Sequence, residues 1–358
     1  MKVVIAGGGT GGHLYPGIAI ARELQKETGN AVLFVGTEQG IESRVLPKEN
    51  LELRLIKAGR LKGMRPAAIM RTMVTLPYSL CQSFRILREV KPDIVIGVGG
   101  YASGPLALAA WLFRLPLMII EPNSYAGLAN RVLGRLADSI ILTYPGIDQQ
   151  NLFPASRKVL IGPLVRNGIN QGDREQAMRD FELDNGRFTV FVMGGSGGAH
   201  ALNMAMKEAA PELGGIPNLQ VLHQTGEKDS EEVKAAYDRA GVKAKVMPYI
   251  HDMAGAYAAA DLVVSRSGAT TVAELAVCGK RALLVPFPYA ADNHQEYNAR
   301  TLARRGVAEV MLQKELTPGT LAARIRFYAS GGGGIAEPAP QTAAQEIVRM
   351  CRHHVQKN

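Results

Sequence analysis

Short apolar runs that end in glycine recur along the chain. Lys2-Val-Val-Ile-Ala6 runs into Gly7-Gly-Gly-Thr-Gly-Gly12. Beyond it Ile18, Ala21, Arg22 and Leu24 fall at helical spacing, which predicts strand, tight loop, helix. Ala31–Val35, Pro92–Gly97, Leu117–Ile120 and Lys158–Ile161 read as further strands. Runs this uniformly apolar suit parallel strands buried on both faces. Helical patterns separate them, so the first half is an alternating β/α unit. The pattern then restarts: Phe188–Met193 is apolar, Gly194-Gly-Ser-Gly-Gly198 follows, and a helix is predicted from Ala199 to about Glu212. Val221-Leu222, Ala244–Met247, Leu262–Val264 and Ala282–Val285 supply later strands. The expected fold is α/β, with two doubly wound Rossmann-like domains facing across a cleft. The boundaries fall at 1–162 and 163–340. The glycine- and proline-rich stretch Ser330–Pro340 reads as a surface segment. A final helical stretch, 341–358, is expected to pack back on the first domain.

Composition adds little to this architecture but narrows the partners. The 358 residues exceed the usual size of one domain, which agrees with two. A net charge of +9 favours anionic partners. Cys81, Cys278 and Cys351 lie far apart and form no CxxC pair, so neither a zinc site nor a disulfide framework is expected. Met1–Ala6 opens directly as a strand rather than a signal peptide. The most apolar stretch, Leu106–Ile120, is interrupted by Arg114 and Pro116 and falls short of the roughly 20 apolar residues that span a bilayer. Met64–Arg88 and Trp111–Arg114 mix apolar and basic residues, and the first of these contains no acidic residue. Such a segment suits either an anionic membrane surface or a core-facing helix with a basic outer face. Few aromatic residues accompany the basic ones, so no nucleic-acid partner is expected.

Several residues carry candidate chemistry. Gly7-x-Gly9-x-x-Gly12 matches a dinucleotide fingerprint, in which glycines let a phosphate approach the helix N-terminus. A nicotinamide enzyme would also place an acidic residue at the end of the second strand, where Gly36-Thr37 stand, with Glu38 nearby. His13, at the start of the following helix, is a candidate general base, because the helix dipole disfavours its protonated form. Gly194–Gly198, with Ser196 as a hydroxyl donor, offers a second anion site. Ser265-Arg-Ser-Gly268 leads into a helix with Glu274 two turns in, and a carboxylate there can accept both hydroxyls of a ribose diol. No P-loop and no Asp-x-Asp is present. Phosphate charge then falls to backbone amides, helix dipoles and a residue such as Arg166.

Taken together, these motifs resemble the MurG family of bacterial transferases, which add N-acetylglucosamine to undecaprenyl-pyrophosphoryl-muramyl-pentapeptide. The resemblance rests on Gly8-Gly-Thr-Gly-Gly-His13, Gly99-Gly-Tyr-Ala-Ser-Gly-Pro105, Gly194-Gly-Ser-Gly-Gly-Ala199 with Asn203, Ser265-Arg-Ser-Gly268 through Glu274, and Gln295 with Asn298-Ala299. It implies the two-domain fold called GT-B and UDP-N-acetylglucosamine as donor, held by the second domain. Ile250 would meet uracil through its backbone. Ala269, Thr270, Thr271, Val272, Ala273 and Glu274 would hold the ribose and phosphates. Ser196 and Arg166 would bind phosphate, and Gln295 and Asn123 the sugar. Thr10, Gly11 and Gly12 would close from the first domain, with His13 beside the acceptor hydroxyl.

No metal and no cofactor is implied. The expected location is peripheral, on the cytoplasmic face of the bacterial inner membrane. Two local departures stand out: Gly162-Pro-Leu-Val-Arg166 where the family has Gly-Asn-Pro-Val-Arg, and Glu121-Pro-Asn123 where it has Glu-Gln-Asn. Both keep the contacting residue. Three rival readings stay open: a UDP-sugar 2-epimerase of the same fold, a nicotinamide-dependent oxidoreductase, and a non-catalytic scaffold that binds a nucleotide-sugar.

Overall fold

The computed structural model describes residues 1–58, 66–144, 152–195, 197–334 and 337–357. It divides into two compact units, residues 1–167 with 341–358, and residues 168–340. The first unit takes in Leu164 because that side chain is buried in its core, so the division falls a few residues beyond Gly162.

The first sheet contains β1 (Lys2–Gly7), β2 (Ala31–Gly36), β3 (Glu52–Leu55), β4 (Ile94–Gly99), β5 (Leu117–Glu121), β6 (Ser139–Leu142) and β7 (Lys158–Leu160). Its order is β3-β2-β1-β4-β5-β6-β7, and every pairing is parallel. The second sheet contains β8 (Phe188–Met193), β9 (Leu219–Gln224), β10 (Ala244–Met247), β11 (Leu262–Ser265), β12 (Ala282–Leu284) and β13 (Ala308–Val310). Its order is β10-β9-β8-β11-β12-β13, again all parallel.

In each sheet the winding reverses once, between β1 and β4 in the first and between β8 and β11 in the second. Chain leaving the carboxyl ends of those paired strands diverges, and the gap is where doubly wound sheets bind ligands. The four motifs singled out in the sequence follow these four strands. Fold and candidate chemistry therefore meet at the two switch points.

β4 and β5 are buried throughout, as expected of central parallel strands covered on both faces. The helix Ala343–Lys357 returns to the first unit. Ala343, Ile347, Val348 and Cys351 join its core beside Leu14 and Ile18 of the helix Gly11–Gln25. His354 Nε2 meets Ser139 Oγ at 2.7 Å, and Arg352 pairs with Glu27.

Candidate active site

The first switch point is built on glycine. β1 leads through Gly8 and Gly9 to Thr10, which precedes the helix in an extended conformation and places no side chain over its end. Gly9 has φ +81°, a backbone setting that a side chain disfavours. Gly100, after β4, packs so tightly on the Gly8 carbonyl that a Cβ there would overlap it. Ser103 Oγ ties the two loops, donating to the Ala6 carbonyl at 2.7 Å and accepting from the Gly99 amide at 3.1 Å.

His13 is the third residue of the helix. Its amide donates to the Thr10 carbonyl at 3.2 Å, and its Nδ1 lies 3.0 Å from the Val98 carbonyl on β4. A carbonyl only accepts, so Nδ1 carries the proton and Nε2 is the basic nitrogen. A Cβ at Gly99 would come within 2.6 Å of that Nδ1, so glycine is required beside the ring.

Glu42 was not singled out in the sequence, yet it organises this loop. It opens the short helix Glu42–Lys48 and is 1% exposed. Its carboxylate accepts from the Gly9 amide (2.7 Å), the Thr37 amide (2.7 Å) and the Thr37 hydroxyl (2.9 Å). Where a Rossmann fold ends its second strand in an acid that meets the ligand, this chain has an acid one loop later that meets its own backbone. The available signal was Gly36-Thr37-x-x-Gly40-x-Glu42, small residues converging on one carboxylate.

Glu121, at the end of β5, is a second organising acid. It is fully buried and accepts from the Asn123 amide (3.0 Å), Asn123 Nδ2 (3.1 Å), the Gly127 amide (2.9 Å) and Asn130 Nδ2 (3.0 Å). Burial pushes its carboxyl above the ordinary range, and these donors oppose that. Asn123 is therefore oriented by Glu121. Arg166 lies in the first unit, its guanidinium 4.5 Å from the centre of the Tyr15 ring. Its carbonyl accepts from Gln341 Nε2 at 3.0 Å.

At the second switch point, Gly198 has φ +74°, and a Cβ there would overlap the Thr225 carbonyl. Ser196 lies outside the described residues. Gln224, at the end of β9, spans the site: its Nε2 donates to the Gly195 carbonyl and its Oε1 accepts from the Ile250 amide, both at 2.9 Å. Ile250 is expected to meet a uracil through its backbone, and Gln224 engages its amide.

A polar chain runs beneath the loop. Asn203 Nδ2 donates to the Thr225 carbonyl and to Asp229 Oδ2, both at 2.7 Å. That leaves Asn203 Oδ1 to accept from His223 Nε2 at 3.1 Å, and His223 Nδ1 to accept from the Tyr237 hydroxyl at 3.0 Å. Burial lowers His223 to about 3, so it is neutral at pH 7.

β11 ends at Ser265, and the helix Ala269–Cys278 follows with Gly268 extended at its start. The residue at its start, Gly268, has no side chain to cap it, and no acid lies in its first turn. Its first amides and its dipole therefore suit an anion. Glu274 is 2% exposed and accepts from the Tyr257 hydroxyl at 2.9 Å, which fixes its rotamer. Ser267 Oγ donates to the Gln295 carbonyl at 2.7 Å, and Asn298 Nδ2 to the Ser267 carbonyl at 3.1 Å. Gln295 Oε1 accepts from the Phe287 amide at 3.0 Å. The structure thus gathers Ala269 to Glu274 and Gln295 around one helix start. It gathers Thr10, Gly11, Gly12 and His13 around the other.

Both halves match known domains. Residues 3–142 match the glycosyltransferase family 28 N-terminal domain, and residues 189–350 the family 28 C-terminal domain. The molecule is a glycosyltransferase in class. The UDP-N-acetylglucosamine--N-acetylmuramyl-(pentapeptide) pyrophosphoryl-undecaprenol N-acetylglucosamine transferase of Anaeromyxobacter sp. is 45% identical, across 100% of this chain and 94% of its own. That of Myxococcus xanthus is 46% identical, across 91% and 84%. The crystal structure of Acinetobacter baumannii MurG superposes with a TM-score of 0.71 at 33% identity, covering 98% of this chain and 99% of that one. The chain belongs to the MurG family within glycosyltransferase family 28. A UDP-GlcNAc 2-epimerase from Neisseria meningitidis shares the fold, with a TM-score of 0.67 over 100% of each chain, but only 14% identity.

Proposed function

We propose that this chain transfers N-acetylglucosamine from UDP-N-acetylglucosamine to the 4-hydroxyl of the muramyl sugar of undecaprenyl-pyrophosphoryl-muramyl-pentapeptide, with inversion. The hydroxyl oxygen forms the new bond to the anomeric carbon. The bond from that carbon to the diphosphate breaks, and UDP departs with the electron pair. His13 Nε2 takes the hydroxyl proton. The observation that carries this role is the Nδ1 contact to Val98, which fixes the tautomer a base requires. The second unit supplies the donor site: the helix start at Ala269 faces the diphosphate, Glu274 the ribose, and Gln295 the sugar. Ser196 and Arg166 add phosphate contacts, and Asn123 a contact to the sugar. With no Asp-x-Asp in the sequence, leaving-group charge falls to amides, helix dipole and arginine, without a metal.

Membrane association is part of the same reading. Leu76, Tyr78, Trp111, Leu112 and Phe113 are exposed, and so are Lys57, Arg85, Arg88 and Arg114. Phe84 and Phe113 meet at 5.0 Å, which joins the helix Pro66–Val90 to the end of the helix Ser103–Leu112. Of the segment noted in the sequence, Met64, Arg65 and the side chains of residues 66–74 lie outside the described residues. Among the described residues no helix is long and apolar enough to cross a membrane. An apolar surface mixed with basic residues suits the cytoplasmic face of an anionic inner membrane, where a lipid-linked acceptor resides.

The test is transfer of radiolabelled N-acetylglucosamine to a lipid-linked muramyl-pentapeptide analogue with EDTA present. Labelled disaccharide-lipid supports the reading. Bound donor with no transfer, and conversion of the UDP-sugar alone, would favour the epimerase.

A further inference from the structure

We propose that Glu42 is a positioning residue of the first glycine loop, and that its carboxylate takes the place an incoming phosphate would occupy in a dinucleotide-binding loop. This rests on the transferase reading and deepens it. The Gly9 amide, which the fingerprint would point at a ligand, points at Glu42 Oε2 instead. The other carboxylate oxygen accepts from both the amide and the hydroxyl of Thr37. Three glycines wall the carboxyl group. A Cβ at Gly8, Gly36 or Gly40 would overlap the Glu42 side chain.

The chain therefore keeps three positions free of side chains around a charge of its own. A loop whose inward amide is already satisfied by an internal anion has less to offer an external one. What it presents outward is Thr10, Gly11 and Gly12, which are uncharged and suit the hydroxyl-bearing part of an acceptor.

Glu42 acts on His13 through this loop. Gly8–Thr10 is held by Glu42 through Gly9 and by Gly100 against the Gly8 carbonyl. The Thr10 carbonyl accepts from the His13 amide, and the ring is set against Val98. Loss of the Glu42 anchor lets Gly8–Thr10 shift, and His13 Nε2 shifts with it.

The test uses the full-length enzyme with Glu42→Gln, Glu42→Asp and Glu42→Ala. Gln presents an NH2 group to a pocket of N–H donors, and Asp keeps the charge but loses reach. Expected is a fall in kcat of about 10- to 100-fold for Gln, more for Ala, with partial recovery in Asp. UDP affinity, measured by calorimetry, stays within about twofold of wild type, because Glu42 bonds to Gly9 and Thr37, neither of which is assigned to UDP.

A second readout is independent of turnover. The 15N shifts of His13, assigned by comparison with His13→Ala, should report the Nδ1-protonated tautomer in wild type and a mixture in Glu42→Gln. Wild-type kcat in Glu42→Gln with an unchanged His13 tautomer would overturn the proposal, as would loss of UDP binding in parallel with kcat. If the wild-type enzyme transfers no sugar, the transferase reading fails, and the tautomer comparison still decides whether Glu42 positions His13.

Discussion

Gln224 accepts from the amide of Ile250 at 2.9 Å while donating to the Gly195 carbonyl at the same distance. One side chain thus couples the glycine loop after β8 to the segment after β10. The family resemblance assigns Ser196 in the first segment and Ile250 in the second to the donor. Gln224→Ala should therefore raise the KM for UDP-N-acetylglucosamine by about tenfold, the loss of one to two neutral hydrogen bonds, and leave the acceptor KM near wild type. Steady-state kinetics with each substrate varied in turn would show it, and an unchanged donor KM would count against this coupling.

His13→Ala should lower kcat by about 10²- to 10⁴-fold, the range for loss of a general base, while UDP affinity is retained. Near-normal turnover would remove the base assignment.

The glycine beside that ring gives a separate test. Gly99→Ala inserts a methyl group into the imidazole and has to displace it from Val98. A 1 Å misplacement of a reacting group can cost about 10²-fold. The kcat of Gly99→Ala should fall toward that of His13→Ala. Combining the two substitutions should cost little beyond the worse single one, because both act on one group. Fully additive losses in the double variant would contradict this.

His223 gives a pH signature. Its folded-state value, about 3, lies below the ordinary 6.5 because burial disfavours the charged ring. Below pH 6.5 the unfolded chain binds a proton that the folded one refuses. Stability from this group is therefore complete above pH 6.5 and falls as pH drops toward 3, by at most about 1.4 kcal/mol per unit. Thermal melts of wild type and His223→Leu between pH 4 and 8 should show a shallower acid slope in the variant. Parallel slopes would exclude His223 as the source.

Replacing Trp111 and Leu112 together by glutamate should reduce binding to vesicles containing anionic lipid. It removes exposed apolar area and adds two charges of the repelled sign. Raising the salt should weaken wild-type binding too, as screening predicts. Unchanged co-sedimentation would move the membrane-facing surface elsewhere.

The sequence revealed the switch-point strands more readily than the rest. β1 and β4 end in glycine, β8 runs into Gly194 and β11 ends at Ser265, and all four are largely apolar, so their pattern is unambiguous. β3 (Glu-Leu-Arg-Leu) and β13 (Ala-Glu-Val) are edge strands, partly exposed, and their charged residues break the apolar run. β9 extends over Leu219–Gln224, although only Val221-Leu222 stood out. Gln220, His223 and Gln224 look like surface residues and are buried, because each meets hydrogen-bond partners inside the fold. Pairing of that kind is invisible to hydrophobic periodicity.

The same holds at the sites. His13 and Glu274 sit at fixed offsets from glycine loops and were legible. Glu42 was not, because its meaning lies in three glycines and two amides that the fold brings around it. In sequence Glu121 stands out only as a neighbour of Asn123, and its own role shows in the donors that converge on it.

The helix Ala343–Lys357 belongs to the first unit, while the whole of the second is made before it. During synthesis, the groove that receives Ile347 and Cys351 stays open until residues 168–340 have emerged. The second unit can complete its own core on the ribosome, whereas the unit bearing His13 lacks Ile347 and Cys351 until residues 343–357 follow. Truncating that helix would strike the folding of residues 1–167, which precede it by the whole second unit, and the proposed acceptor side with them.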